Sequence, residues 1–303
     1  MRPAWRRLAL TVPAALFAVF ALVSCASGKA QEDGRVRIIT SLQLFADFVE
    51  QVGGERVKVT SLVPGDADPH TYEPVPSQAA EIANADVVVL NGLGLEETLR
   101  DVIDNNARSG VPVVEMAAGL PVIGESGDEH AFGNPHLWLN VRHAMHYVER
   151  IRDALVEVDP QSAEAYQANA EAYLNELSAL DQEIAAAIES IPADRRKLVT
   201  FHDAFPYFAE RYGLEVVGVV VESPGREPSP QELARLADRI RAEKVPVVFI
   251  EPQFAGTILE AVARDTDVQV RTLLTGSFGG RVSSYVEMMR FDAQEIVQGL
   301  TEQ

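Results

Sequence analysis

Cysteine is all but missing from this chain. Cys25 is the only one in 303 residues, so no internal disulfide can staple the fold. Positive charge is scarce too: 26 Lys and Arg stand against 45 Asp and Glu, a formal net of −19. Nucleic acid needs a basic footprint, and this balance argues against it as a partner. An acidic surface attracts cations and repels anions, although solubility alone would explain it. Compact metal motifs are also missing. There is no H-E-x-x-H, and a lone cysteine cannot make C-x-x-C. No segment is low in complexity.

The N-terminus is built differently from the rest. Arg2, Arg6 and Arg7 precede an uncharged apolar run, 8–24, that ends in Leu22-Val23-Ser24. A basic start, an apolar middle and a small-residue cut site make 1–24 a secretory signal. The run is at the short end for a membrane span, which leaves an uncleaved anchor as the rival. Cys25 follows directly and resembles the lipobox cysteine of bacterial lipoproteins, which implies lipidation of Cys25 as the new N-terminus. A cysteine that merely ends a signal is the plainer alternative. Loss of the three arginines moves the net charge from −19 to −22. Residues 25–34 are small and polar and read as a tether.

At this length two domains are the better expectation. Apolar runs at 36–40, 57–63, 86–91 and 111–116 alternate with helical spacing at 42–52, 76–82 and 95–106. The alternation predicts a parallel α/β lobe over 35–140. A helix follows at 141–158. The stretch 160–191 is then rich in Ala, Glu, Gln and Leu, with no Gly and no Pro after Pro160. It predicts one linker helix of about 48 Å at 1.5 Å per residue, with a helical hairpin as the alternative. The α/β alternation restarts after Pro192, with strands expected at 197–201, 215–221, 245–250 and 268–274. The expected architecture is α/β: two similar lobes, 35–140 and 192–303, each a four-stranded parallel sheet flanked by helices. One long rigid helix within 141–191 joins them.

Three histidines sit where β-type runs meet loops. His70 lies among turn formers in P-G-D-A-D-P-H-T-Y-E-P-V-P, His136 in N-P-H-L-W-L-N and His202 in K-L-V-T-F-H-D-A-F. Sites in open α/β sheets lie beyond the carboxyl ends of strands, so two lobes can offer these rings to one cleft. Neutral imidazole suits Zn²⁺, Ni²⁺, Cu²⁺ or Fe²⁺, whereas Mg²⁺ and Ca²⁺ prefer oxygen. Spacing alone is weak support, because three of six histidines can fall in loops by chance. His143 and His146, at i and i+3, read as a solvated helix face. His130 lies in an acidic loop with Glu125, Asp128 and Glu129, which reads as disordered or as a transient metal trap.

Several ordered motifs then carry a resemblance: D-P-H-T-Y-E-P-V-P-S at 68–77, N-P-H-L-W-L-N at 134–140 and T-F-H-D-A-F-P-Y-F-A-E-R-Y-G-L at 200–214. R-E-P-S-P at 226–230, F-I-E-P-Q-F at 249–254 and Y-V-E-M-M-R at 285–290 add to them. In these the chain resembles the zinc/manganese family of solute-binding lipoproteins of bacterial ABC importers, over nearly everything after the tether. The resemblance implies a metal held between two α/β lobes, His70, His136 and His202 as ligands, no enzymatic activity, and a membrane permease that receives the ion. It implies an extracytoplasmic monomer anchored through Cys25. The family usually places a carboxylate after the last strand; here Leu273-Leu274-Thr275 offers none. Water or Glu251 is left as the fourth ligand. Asn134 and Asn140 also stand where aspartates are common. Manganese members tend to use more carboxylate, so three imidazoles point to Zn²⁺ over Mn²⁺. Two rivals remain: a zinc hydrolase with Glu251 as its base, and a surface adhesin with incidental metal.

Overall fold

The computed structural model describes residues 34–65, 67–124, 132–222, 224–254 and 256–301. The first lobe runs β1 (Val36–Thr40), α1 (Gln43–Gly53), β2 (Val57–Ser61), α2 (Pro76–Ala83), β3 (Val87–Leu90), α3 (Glu97–Asn106) and β4 (Val113–Glu115). Two helices follow, α4 (Val141–Val158) and α5 (Ala163–Glu189). The second lobe runs β5 (Lys197–His202), α6 (Pro206–Tyr212), β6 (Glu215–Val221), α7 (Pro230–Glu243), β7 (Val247–Ile250), α8 (Thr257–Thr266), β8 (Gln269–Thr272) and α9 (Tyr285–Thr301).

Both sheets are parallel and four-stranded, in the orders β2-β1-β3-β4 and β6-β5-β7-β8. The shared order gives each lobe a point where the chain's winding reverses, between β1 and β3 and between β5 and β7. Central strands such as β3, V-V-V-L, are buried along their whole length, because helices cover both faces. The edge strand β8, Q-V-R-T, is exposed to half-buried. Local chemistry sets the ends of elements. Ser229 and Glu232 form a reciprocal capping box, with Pro230 in the first turn of α7. Asn140 caps α4 by accepting from the Arg142 N–H at 3.0 Å. Gly213, at φ 72°, closes α6 in the left-handed conformation.

The linker is shorter than the expected 160–191. Pro160–Ser162 forms a 3-10 turn, and α5 proper begins at Ala163 and runs 27 residues. At 1.5 Å per residue that is about 40 Å. Proline suits this first position, where its missing N–H would have no partner within the helix, and the Asp159 carboxylate accepts the Tyr166 hydroxyl at 2.9 Å. α5 is fastened towards both lobes. Asn169 donates to the Val52 carbonyl of α1 at 3.0 Å, and buried Asp181 accepts from Arg211 Nε of α6 at 2.9 Å.

One hydrophobic core runs from the first sheet through α4 and α5 to α9 and the near face of the second sheet. A smaller core fills the other face, among β5, β6, α7, β7 and α8. Two hydrogen bonds at the start of α9 stitch the lobes further: the Tyr285 N–H donates to Asp47 Oδ2 of α1 at 2.7 Å, and its hydroxyl to the Trp138 carbonyl at 2.7 Å. Among the described residues, no helix is long and apolar enough to cross a membrane. The signal, Cys25 and the tether up to residue 33 lie outside the described residues.

Candidate metal centre

The three histidines arrive from different elements. His202 is the last residue of β5, beside Glu251, which directly follows β7. That is the second lobe's reversal point, where ligands of open α/β sheets bind. His70 rides the loop between β2 and α2. Asp68 shapes that loop, accepting the His70 N–H at 3.1 Å and the Thr71 hydroxyl at 3.0 Å. Gln78 of α2 holds it from behind through the Tyr72 hydroxyl at 3.0 Å. His136 lies just before a 3-10 turn, Leu137–Leu139. Gly133, at φ 83°, turns the chain into this motif, and a Cβ there would stand 2.2 Å from Val122 Cγ1.

The rings meet at their Nε2 atoms. His70 Nε2 lies 3.3 Å from His136 Nε2, and His202 Nε2 lies 3.2 Å from the same atom. Nitrogens at two corners of a zinc tetrahedron stand about 3.3–3.4 Å apart, given Zn–N bonds of about 2.0–2.1 Å. Among the described residues this trio is the one cluster of three or more His, Cys, Asp or Glu with ligand atoms within 4.8 Å of one another. No carboxylate joins it.

The opposite edges of two rings fix which nitrogen carries the proton. Asn134 Oδ1 lies 3.0 Å from His136 Nδ1 and accepts the His136 backbone N–H at 3.1 Å. Glu251 Oε2 is in direct contact with His202 Nδ1. Both oxygens are acceptors, so each Nδ1 carries a proton and each Nε2 presents a lone pair to the cleft. Lone pairs that face one another repel, and a cation between them removes the repulsion. His136 and His202 are each 2% exposed, whereas His70 is half-buried. The cavity they line has a volume of about 20 Å³, room for a water-sized body or a bare ion.

Behind the rings lies a polar frame. Asn134 donates through Nδ2 to the Asp203 carbonyl at 2.6 Å, tying the His136 motif to the residue after His202. The Tyr207 hydroxyl donates to the Asn134 carbonyl at 2.8 Å. Asn91 Nδ2 donates to the Pro135 carbonyl at 3.0 Å. Buried Glu96 collects Ser41 Oγ–H and Asn91 N–H at 2.7 Å and Gly92 N–H at 3.0 Å, joining the ends of β1 and β3. Burial outweighs those donors and pushes its carboxyl up to about 7. Asp292, also fully buried, is raised well above the carboxylate range by desolvation and holds the Leu274 N–H at 2.8 Å. The turn after β8 is fixed from the other side as well, since Trp138 Nε1 donates to the Thr275 carbonyl at 2.6 Å.

Other sequence candidates fare differently. Glu251 is turned to the far edge of His202, so its carboxylate backs a ring instead of joining the trio. His143 and His146 are half-buried, not solvated. His143 meets the Tyr207 ring edge-on, burial lowers its pKa, and His146 Nε2 lies 3.1 Å from the Ala118 carbonyl. His130 and its acidic neighbours at 125–131 lie outside the described residues. Sequence reading passed over Asn91, Glu96 and Gln253, whose contacts reach across as many as 56 residues and leave no local pattern.

Two lobes with parallel sheets around a trio of nitrogen donors, two of them buried, define a binding protein for a transition-metal cation. The family described as ZnuA, zinc-uptake complex component A, periplasmic, matches residues 38–299, and the chain belongs to it. It is thus a substrate-binding protein of a metal ABC transporter, in a family of solute-binding proteins. It is 38% identical to the manganese-binding lipoprotein MntA of Halalkalibacterium halodurans, over 94% of this chain and 96% of that protein. It is 28% identical to the manganese transporter lipoprotein PsaA of Streptococcus pneumoniae, over 93% and 95%. The periplasmic zinc-binding protein TroA of Treponema pallidum superposes with a TM-score of 0.81 at 29% identity, covering 88% of this chain and 99% of that one.

Proposed function

We propose that this chain captures Zn²⁺ in preference to Mn²⁺ through His70, His136 and His202 and hands it to an ABC permease in the membrane. The observation that carries this reading is the pair of Nε2 separations, 3.2 and 3.3 Å, in a cluster without a carboxylate. Imidazole suits zinc, which also stands above manganese in intrinsic affinity for such donors; Mn²⁺ is better served by hard oxygen. The 38% identity to a manganese-binding lipoprotein favours the opposite preference, so the two ions must be competed directly. In protein purified without chelator or affinity resin, bound zinc and loss of zinc affinity in His70→Ala, His136→Ala and His202→Ala support the reading. Retained affinity in all three variants defeats the ligand assignment, and manganese held against equimolar zinc defeats the preference.

In the same reading Cys25 carries the lipid anchor, 1–24 is removed, and 25–34 tethers an extracytoplasmic monomer. The lobes 35–140 and 192–303, with the helical connection 141–191, are its domains. The hydrolase alternative needs a base beside a metal-bound water, and its candidate, Glu251, faces His202 Nδ1 instead. The adhesin alternative predicts host-ligand binding that survives chelation.

A further inference from the structure

The trio supplies three donors, and the turns after β7 and β8 contribute to the wall of the same cavity. Gln253 and Thr275 line the same small cavity as the histidines, as does Gly276. Gln253 Nε2 donates to Thr275 Oγ1 at 3.0 Å. Thr275 is itself buried, 4% exposed, and anchored through its carbonyl to Trp138. One end of the Gln253 amide is therefore spent on a rigid partner. Its other end, Oε1, is shut off from solvent and accepts no hydrogen bond. A buried carbonyl oxygen without a donor is uncommon in a folded protein and calls for a partner. Amide orientation follows from surroundings, and beside a cation it is the oxygen, not the NH₂, that faces in.

We propose that Gln253 Oε1 is the fourth ligand, completing a shell of three imidazoles and one amide oxygen. This rests on the three-histidine reading above. Such a shell is neutral and leaves the full double charge on the ion. Without an anionic oxygen, it disfavours hard Mn²⁺ relative to Zn²⁺. Gln253 then sets selectivity as well as affinity.

The test uses the full chain, metal-free, with Zn²⁺ and Mn²⁺ affinities read by chelator competition. Gln253→Ala and Gln253→Leu should each lose at least about tenfold in zinc affinity, the lower end of the loss seen for residues that merely orient a ligand. Gln253→Glu should restore zinc binding and narrow the zinc-over-manganese ratio by about tenfold or more. His136→Ala separates the two claims. If it abolishes binding while Gln253→Ala and Gln253→Leu bind zinc as wild type, the fourth ligand is not Gln253. If His136→Ala also binds normally, the trio itself is wrong. Melting curves of the metal-free variants identify any that fail to fold, and a folded Gln253→Glu with an unchanged metal ratio overturns the selectivity role even when an alanine variant is lost.

Discussion

Replacing Asn134 with alanine probes how the centre is held without touching a ligand. Its side chain accepts the His136 backbone N–H at 3.1 Å, lies 3.0 Å from Nδ1 of that ring, and donates to the Asp203 carbonyl at 2.6 Å. Alanine removes all of these. His136 is 2% exposed, so water cannot readily replace the lost acceptor, and its ring is free to turn or to move its proton to Nε2. A proton there blocks the lone pair that the cleft uses. Residues that orient a metal-binding histidine are worth about 10–100-fold in affinity. That is about 1.4–2.8 kcal/mol at a factor of ten per 1.4 kcal/mol. The metal-free fold should also lose about 1–3 kcal/mol from unpaired buried groups. Competition with a chromophoric chelator reads the first effect and urea unfolding of metal-free protein the second. Asn134→Asp keeps the acceptor but sets a carboxylate beside Asp203 Oδ2, which now lies 3.2 Å from the amide nitrogen. It should retain more zinc affinity than alanine while still losing fold stability. A folded Asn134→Ala protein with wild-type zinc affinity refutes the argument that proton position on His136 governs binding.

Glu96 gives a pH signature in the metal-free state. Its folded pKa of about 7 lies above its ordinary 4.5, so the folded state binds the extra proton between them. Its contribution is therefore fully present below about pH 4.5 and is lost as pH rises through 7, up to about 3 kcal/mol at 1.36 kcal/mol per pKa unit. Glu96→Gln removes the titrating group, so its denaturant midpoints should decline less from pH 5 to 8 than those of the wild type, and the stability gap between the two should change with pH; an unchanged decline would place the titration elsewhere. Tyr285→Phe removes the hydroxyl that reaches Trp138, and urea unfolding should show a loss of about 1–3 kcal/mol with the lobes still melting together. Separate transitions would contradict the shared core. Trp138 sits 5.2 Å from the His136 ring and becomes the sole tryptophan once the N-terminal segment is gone. Its emission should change on zinc addition and return with chelator, and a constant spectrum would argue that the ion binds elsewhere.

Much of the architecture was readable because parallel α/β lobes write themselves locally. Val-rich strands such as 87–90, the Gly213 stop and the Ser229-Pro230 start each carry their signal within a few residues. The 3-10 start of the linker was missed because the composition of 160–162 does not distinguish it from α-helix. The histidines could be named from their place at strand ends and from the motifs around them. Their supports were harder. Asn134 stood two residues from His136, but its bond to Asp203 crosses 69 residues. Glu251 could be placed at a strand end, yet only the packing of β5 against β7 shows which edge of which ring it meets. The solvated reading of His143 failed because Tyr207, near the start of α6, meets its ring edge-on.

In the proposed reading, the uneven enclosure of the trio bears on how an ion would reach it. Two of its rings are sealed on backing that belongs to the rigid, continuous interior, while His70 sits on a proline-braced arm at the surface. An ion arriving from solvent would meet that half-buried ring first. A permease drawing the ion out would likewise find His70 the most accessible of the three rings.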